Sequence, residues 1–262
     1  MRIDVLTLFP GILEAPLGET LLGRARRSGA LEVVIHDLRG WGLGRHRSVD
    51  DYPFGGGPGM VMRPEPLFAA VEAIQPLAEP SAEVVLLTPQ GRRLDAPLAA
   101  ELARSRRLLL ICGRYEGVDE RVRDHLVDRE VSVADVVVSG GEIPALLVID
   151  AVARRVPGVL GAEDSLAEES FDDGLLEYPQ YTRPRDFRGW GVPPVLLSGD
   201  HGAVARWRRG ERVRRTRQRR PDLLAGAALS EHERAALAEP GAGPGDAGTG
   251  PAGGLDPSAP DP

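Results

Sequence analysis

The sequence predicts an α/β fold: a mostly parallel sheet with helices on both faces, followed by a small basic helical domain. Three observations predict it. Short apolar runs alternate with helix-length patterns over residues 1 to about 158, the order of βαβ units. Several of these runs end in glycines and polar side chains, as strands do where they open onto a ligand. The positive charge is concentrated beyond residue 182.

Each element has a local reason. Met1-Arg2-Ile3-Asp4-Val5 alternates as a strand over 3–8 and stops at Pro10-Gly11. A helical pattern over 18–28 closes at Gly29, the residue type that ends helices in the left-handed region. A second apolar run fills 31–36. Pro64 suits the first turn of a helix over 64–74, where its missing N–H costs nothing, and Pro76 bars that helix from running on. A strand over 84–87 ends in Thr88-Pro89-Gln90-Gly91, and a helix follows over 96–105. The run 108–111 ends in Cys112-Gly113-Arg114-Tyr115-Glu116-Gly117. A third run, 136–138, ends in Ser139-Gly140-Gly141-Glu142, and a helix spans 143–156. Continuous apolar runs of this length fit strands covered on both faces.

Beyond residue 158 the pattern changes. Residues 161–174 are acidic and aperiodic and predict a linker that orders around a ligand. A Pro-, Arg- and Trp-rich stretch, 178–195, precedes a basic helical stretch, 202–220. Ser230 and Glu233 form a capping box that opens a last helix. Residues 239–262 are almost wholly Gly, Pro, Ala and Asp, too poor in apolar surface to order themselves. The expected organisation is a domain over 1–160, a linker over 161–176, a basic domain over 177–237 and a disordered tail over 238–262.

Charge and composition narrow the function. The net charge is −7, yet all 32 basic residues are arginine. From Arg183 to Arg220 twelve arginines face Asp186, Asp200 and Glu211, a net of +9 that leaves −16 elsewhere. A basic segment on an acidic body is the footprint of phosphate binding. The single cysteine, Cys112, excludes internal disulfides and reads as a buried, inert thiol in an apolar strand. The N-terminal residues do not resemble a secretory leader, and no apolar stretch nears the ~18 residues of a membrane span. A cytoplasmic protein with no membrane partner is expected.

The glycine-ended strands define the candidate site. Three of them in one domain can form a single concave site at the carboxyl edge of a sheet. Glu116 and Glu142 read equally as holders of a ribose hydroxyl or amine and as solvated acids at helix starts. The loop Asp50-Asp51-Tyr52-Pro53-Phe54-Gly55-Gly56-Gly57-Pro58-Gly59-Met60 lacks the Lys-Ser/Thr of a phosphate loop. It reads equally as a tight turn and as a loop that lets another backbone or an RNA come close. Taken alone, Arg154, Arg155, Glu168, Glu169, Asp172 and Asp173 read as solvated charge. The five histidines show no metal-site spacing.

Together these segments resemble the TrmD family, the bacterial tRNA (guanine-N1) methyltransferases. The residues that carry the likeness are Leu6 to Pro10, Asp51 to Met62, Thr88 to Gly91, Ile111 to Arg121, Ser139 to Gly161, Tyr181 to Pro184, and Val192 to His201. The resemblance implies a SPOUT-type domain with a C-terminal trefoil knot and an obligate homodimer whose sites are built from two subunits. It implies S-adenosylmethionine bound by Leu87, Thr88 and Pro89, by Gly113, Tyr115 and Glu116, by Val133, Ala134, Asp135, Val136, Val137 and Val138, and by Gly140, Gly141 and Pro144. The substrate it implies is the guanosine at tRNA position 37, beside the anticodon. Asp50, Gly55, Gly57, Gly59, Arg183, His201, Arg206, Arg208 and Arg209 would contact the tRNA. Arg154 matches the family's arginine for guanine O6. The family's general base is an aspartate; at that position here stands Glu169. Magnesium is implied for activity, with no dedicated cage. Two rival readings are a relative that binds tRNA without catalysis, and a SPOUT methyltransferase for another RNA.

Overall fold

The computed structural model describes residues 1–160 and 169–238, without the side chains of residues 236 and 238. The chain divides into two compact units, Met1–Leu166 and Ala167–Pro262. The stretch 161–168 and the tail 239–262 lie outside the described residues.

In the first unit the order is β1 (Arg2–Thr7), α1 (Gly11–Gly18), α2 (Thr20–Arg27), β2 (Glu32–Asp37), β3 (Asp50–Asp51), β4 (Val61–Met62), α3 (Pro64–Ile74) and β5 (Glu83–Arg93). Then come α4 (Ala96–Leu102), β6 (Arg107–Cys112), α5 (Glu120–Leu126), β7 (Arg129–Ser132) and α6 (Glu142–Ala153). Five strands form one parallel sheet in the order β2-β1-β6-β5-β7. Strand β6 lies at its centre and is buried along its whole length.

Strand periodicity explains the apolar runs. Along β6, Leu108, Leu110 and Cys112 pack into one core with α1, α2, α4 and α6. Leu109 and Ile111 point the other way, into a core with α3 and Val122 of α5. Successive side chains alternate faces, so a strand between two helical layers must be apolar throughout.

One polar cluster is buried within this sheet. Asp4 is fully covered and lies 2.9 Å from Arg107 Nε, 2.9 Å from Arg2 Nη2 and 2.7 Å from His36 Nε2. Arg107 also donates to the carbonyls of Ile74 and Gln75, both at 2.8 Å, and of Ala78. It thereby satisfies the carbonyls that the end of α3 leaves without helical partners. Burial alone would raise the Asp4 carboxyl, but hydrogen bonds from His36, Arg2 and Arg107 outweigh it and hold it well below the usual carboxylate range.

Several elements differ from the sequence expectation. The strand expected over 136–138 is irregular and exposed; the edge strand is β7, Arg129–Ser132. Its charged residues hid it: Arg129 pairs with Glu83 and Glu101, and Glu130 pairs with Arg123. The helix expected over 18–28 is α2, Thr20–Arg27, and an additional helix, α1, precedes it over Gly11–Gly18, separated from it by Glu19 in an extended conformation. Strand β5 does not end at Thr88-Pro89-Gln90-Gly91 but runs through it, with a register shift between Leu87 and Arg92. Helix α5 is short and charged, and its cap, Asp119 accepting from Arg121 N, was not anticipated.

The second unit is built on α7 (His201–Arg219), capped by Asp200 accepting from Ala203 N at 2.9 Å. A two-stranded ribbon, β8 (Asp186–Phe187) and β9 (Trp190–Gly191), precedes it, and α8 (Glu231–Ala238) follows. The capping box forms: Glu233 N donates to Ser230 Oγ and Ser230 N donates to Glu233 Oε2. Of the stretch read as a linker, 169–176 is held to α7. Asp173 pairs with Arg212 at 2.5 Å and Arg209 at 3.2 Å, Leu175 is fully buried, and Leu176 N donates to Thr216 Oγ1.

Candidate active site

The middle of β5, around Leu86 to Gln90, and the carboxyl ends of β6 and β7 surround a cavity of about 530 Å³. Each wall follows from a local choice. At the end of β6, Arg114 to Gly117 form a turn in which Gly117 N donates to Arg114 O. Tyr115 sits there at φ +60, a conformation that costs a non-glycine residue ~1–2 kcal/mol. Tyr115 is held half-exposed at the opening.

The opposite wall is the irregular segment 136–141. Gly141 N donates to Gly113 O at 2.8 Å, and a Cβ at Gly141 would lie 2.5 Å from Cys112 Cα. Only glycine lets this segment lie so close to β6. The Gly55–Gly59 loop meets the same rim: Glu116 N donates to Met60 O, and a Cβ on Gly59 would strike Glu116 Oε1. Arg123 on α5 bridges Gln90 and Glu130 along the β5 side.

Most of the sequence-predicted cofactor residues meet at this cavity: Leu87, Thr88, Pro89, Gly113, Tyr115, Glu116, Val133, Val136, Val137, Val138, Gly140, Gly141 and Pro144. Ala134 and Asp135 are not in its wall. The Ala134 carbonyl accepts from Ser132 Oγ and Val136 N, and Asp135 is exposed, 3.9 Å from Arg93. Glu142 is neither a ligand holder nor a solvated acid. It is almost fully buried, accepts from Thr7 Oγ1 at 2.7 Å, and pairs with Arg114 at 2.8 Å. Arg114 in turn donates to Ser139 O and lies 4.4 Å from the Phe9 ring centre. Arg114 thus ties both glycine-rich walls to β1, a role unread in the Cys-Gly-Arg-Tyr-Glu-Gly segment that contains it. The Cys112 thiol is buried and pushed well up by that burial, which keeps it unreactive.

The remaining candidates lie elsewhere. Arg154 caps the far end of α6 and is not in the wall of the cavity, which the first turn of that helix reaches. Twelve residues at 1.5 Å each put the two ends of α6 ~18 Å apart. Asp50 lies in β3, and Gly55, Gly57 and Gly59 all have positive φ. In the second unit Glu169 is half-buried, and Arg183 and Arg206 are exposed. His201 opens α7, and the Arg208 guanidinium lies 4.6 Å from the Tyr178 ring centre. Arg209 is engaged within the unit by Glu233, Asp173 and the Ala228 carbonyl. Glu233 beside it is lowered to about 2, mainly by the hydrogen bond from Arg209. Among the described residues no group of three or more His, Cys, Asp or Glu is placed to hold a metal ion, and no helix is long and apolar enough to cross a membrane.

Residues 1–226 match the family described as tRNA (Guanine-1)-methyltransferase TrmD. The chain is 56% identical over 243 residues to a tRNA (guanine-N(1)-)-methyltransferase of Chloroflexus aggregans, covering 91% of this chain and 95% of that one. It is 55% identical over 240 residues to the protein of that name from Moorella thermoacetica, covering 91% and 96%. With the glycine-bearing segments around Gly113 and Gly140-Gly141 meeting at one cavity and the match running across both units, the chain belongs to the TrmD family of tRNA (guanine-1)-methyltransferases.

Proposed function

We propose that this protein transfers a methyl group from S-adenosylmethionine to N1 of the guanosine at tRNA position 37. The observation that carries the reading is the cavity between β5 and the ends of β6 and β7, in a chain that matches the family over residues 1–226. The residues present fit the donor. The volume lies within the ~300–1,000 Å³ of small-molecule sites. Gly113, Gly140 and Gly141 present bare backbone, Leu87, Pro89 and Pro144 offer apolar walls to a purine, and Glu116 brings a carboxylate to a cationic group. When bound, the donor supplies an electrophilic methyl group on a sulfonium.

The protein's own residues do the rest. Guanine N1 carries a proton and is a poor nucleophile until it leaves. Glu169 accepts that proton as general base. Arg154 stabilises the negative charge that builds on O6. The arginines of 183–220 hold the anticodon stem-loop through its phosphates. A magnesium ion, which keeps most of its waters and needs only one or two carboxylates plus phosphate oxygens, would join at the RNA. The same reading includes a cytoplasmic location, where a tRNA substrate would be met.

The same reading includes the trefoil knot and a homodimer. The distance of Arg154 from the cavity along α6 supports a site completed by a second copy. Ile143 and Leu147, one turn apart on α6, are both about half-exposed, an apolar face suited to self-association.

The test is methyl transfer to transcripts carrying guanosine or adenosine at position 37, followed by nucleotide mapping. Methylation at N1 of that guanosine alone is expected. Transfer to another nucleotide, or none to either transcript, overturns the proposal.

A further inference from the structure

The second unit carries a ribbon that its own core does not use. Phe187 on β8 pairs directly with Trp190 on β9, so both side chains project from one face. Their ring centres are 6.2 Å apart, inclined at 47°. Neither is covered: Phe187 is 54% and Trp190 71% exposed. The connecting turn is Arg188-Gly189, with φ +57 and +81. Glycine adopts this freely, whereas arginine is strained in it. The turn is held by Gly189 N donating to Asp186 Oδ1 at 3.1 Å, and it sets the Arg188 guanidinium 5.2 Å from the Phe187 ring centre. Arg183 and Arg185, which precede β8 in the chain, are also exposed.

We propose that the Phe187–Trp190 ribbon is a stacking site for an unpaired nucleobase of the RNA substrate, with Arg188 and its neighbouring arginines on the flanking phosphates. Flat exposed rings take the face of any unpaired base. The surplus of arginine over acid from Arg183 to Arg220 complements a phosphate backbone. The identity of the RNA rests on the proposed methyltransferase function; the stacking does not. A purely structural pair would strengthen only the ribbon itself and would not distinguish looped from paired RNA.

The experiment measures binding by fluorescence anisotropy without methyl donor, using an anticodon stem-loop RNA and the same stem as a closed duplex. Wild-type protein is expected to prefer the stem-loop. Trp190→Ala should weaken stem-loop binding about 5- to 100-fold, as loss of one stacked base does, and leave duplex binding unchanged. Trp190→Phe should restore most of the preference. Arg188→Asn, which keeps the turn, should weaken both RNAs alike. The proposal is overturned by Trp190→Ala binding the stem-loop as wild type does, by equal losses on both RNAs, or by a change in oligomeric mass that marks a protein contact. A wild-type preference for the loop that Trp190→Ala abolishes, in a protein that transfers no methyl group, supports the ribbon and overturns the reaction.

Discussion

Glu169 carries the chemical burden of the proposed reaction, and it does so with one methylene more than the aspartate that the family resemblance implies. A displacement of ~1 Å costs on the order of a hundredfold in rate, so the length of this side chain is itself under test. Glu169→Gln should abolish methyl transfer while calorimetry shows donor binding retained, and Glu169→Asp should lower single-turnover rates about 10- to 100-fold. Full turnover by the Gln variant refutes the assignment. A second residue-scale consequence concerns stability. Asp4 is folded with its carboxyl held well below its ordinary 3.8. The unfolded chain therefore binds the proton first as pH falls. The contribution is fully present above about pH 4 and is lost as pH drops from there through the depressed folded value. Asp4→Ala, which strands the buried Arg107, should lower urea-unfolding stability by about 3–5 kcal/mol and flatten the acid limb of the stability curve. A variant as stable as wild type would show that the cluster contributes nothing.

Among the elements, the joint between β6 and α6 is tightly constrained. Gly141 lies against Cys112 and Gly113 backbone, which cannot rotate away as a side chain can. Gly141→Ala should lower stability by ~1–3 kcal/mol and weaken donor affinity more than tenfold, read by thermal melting and calorimetry; unchanged affinity would show the approach to be incidental. The elements also show what pattern reading captures. Strands β5 and β6 were legible because both faces are buried and their runs 84–87 and 108–112 are apolar throughout, and β1 was legible from its alternation. The edge strand β7 was not. Its Arg129 and Glu130 serve ion pairs at the sheet margin, and the more apolar Val136-Val137-Val138 drew the prediction. Those valines are exposed because they line the cavity. Their apolar character serves a ligand surface, and periodicity cannot separate that from a core.

For the whole molecule, the decisive question is whether one chain holds a complete site. The cavity and Arg154 occupy opposite ends of α6, so the proposed dimer supplies Arg154 across the interface. Mixing two inactive proteins tests this. Val137→Trp blocks the cavity from an exposed position, and Arg154→Ala removes the guanidinium. Each should be inactive alone. If sites are shared across a two-fold interface, random mixing restores one site in half of the dimers, about a quarter of wild-type activity. No recovery would mean that each chain completes its own site.

The residues alone determined the βαβ alternation, the buried strands, the basic second unit and the glycine-ended segments, because these depend on local spacing and composition. Tertiary structure decided the rest. It turned Glu142 from a candidate ligand into a buried partner of Arg114 and Thr7, it placed Asp173 on Arg212, and it set Arg154 away from the cavity wall. A charged side chain reads the same in sequence whether it faces water, a ligand or a buried opposite charge. Only the packing of distant segments fixes which of these it meets.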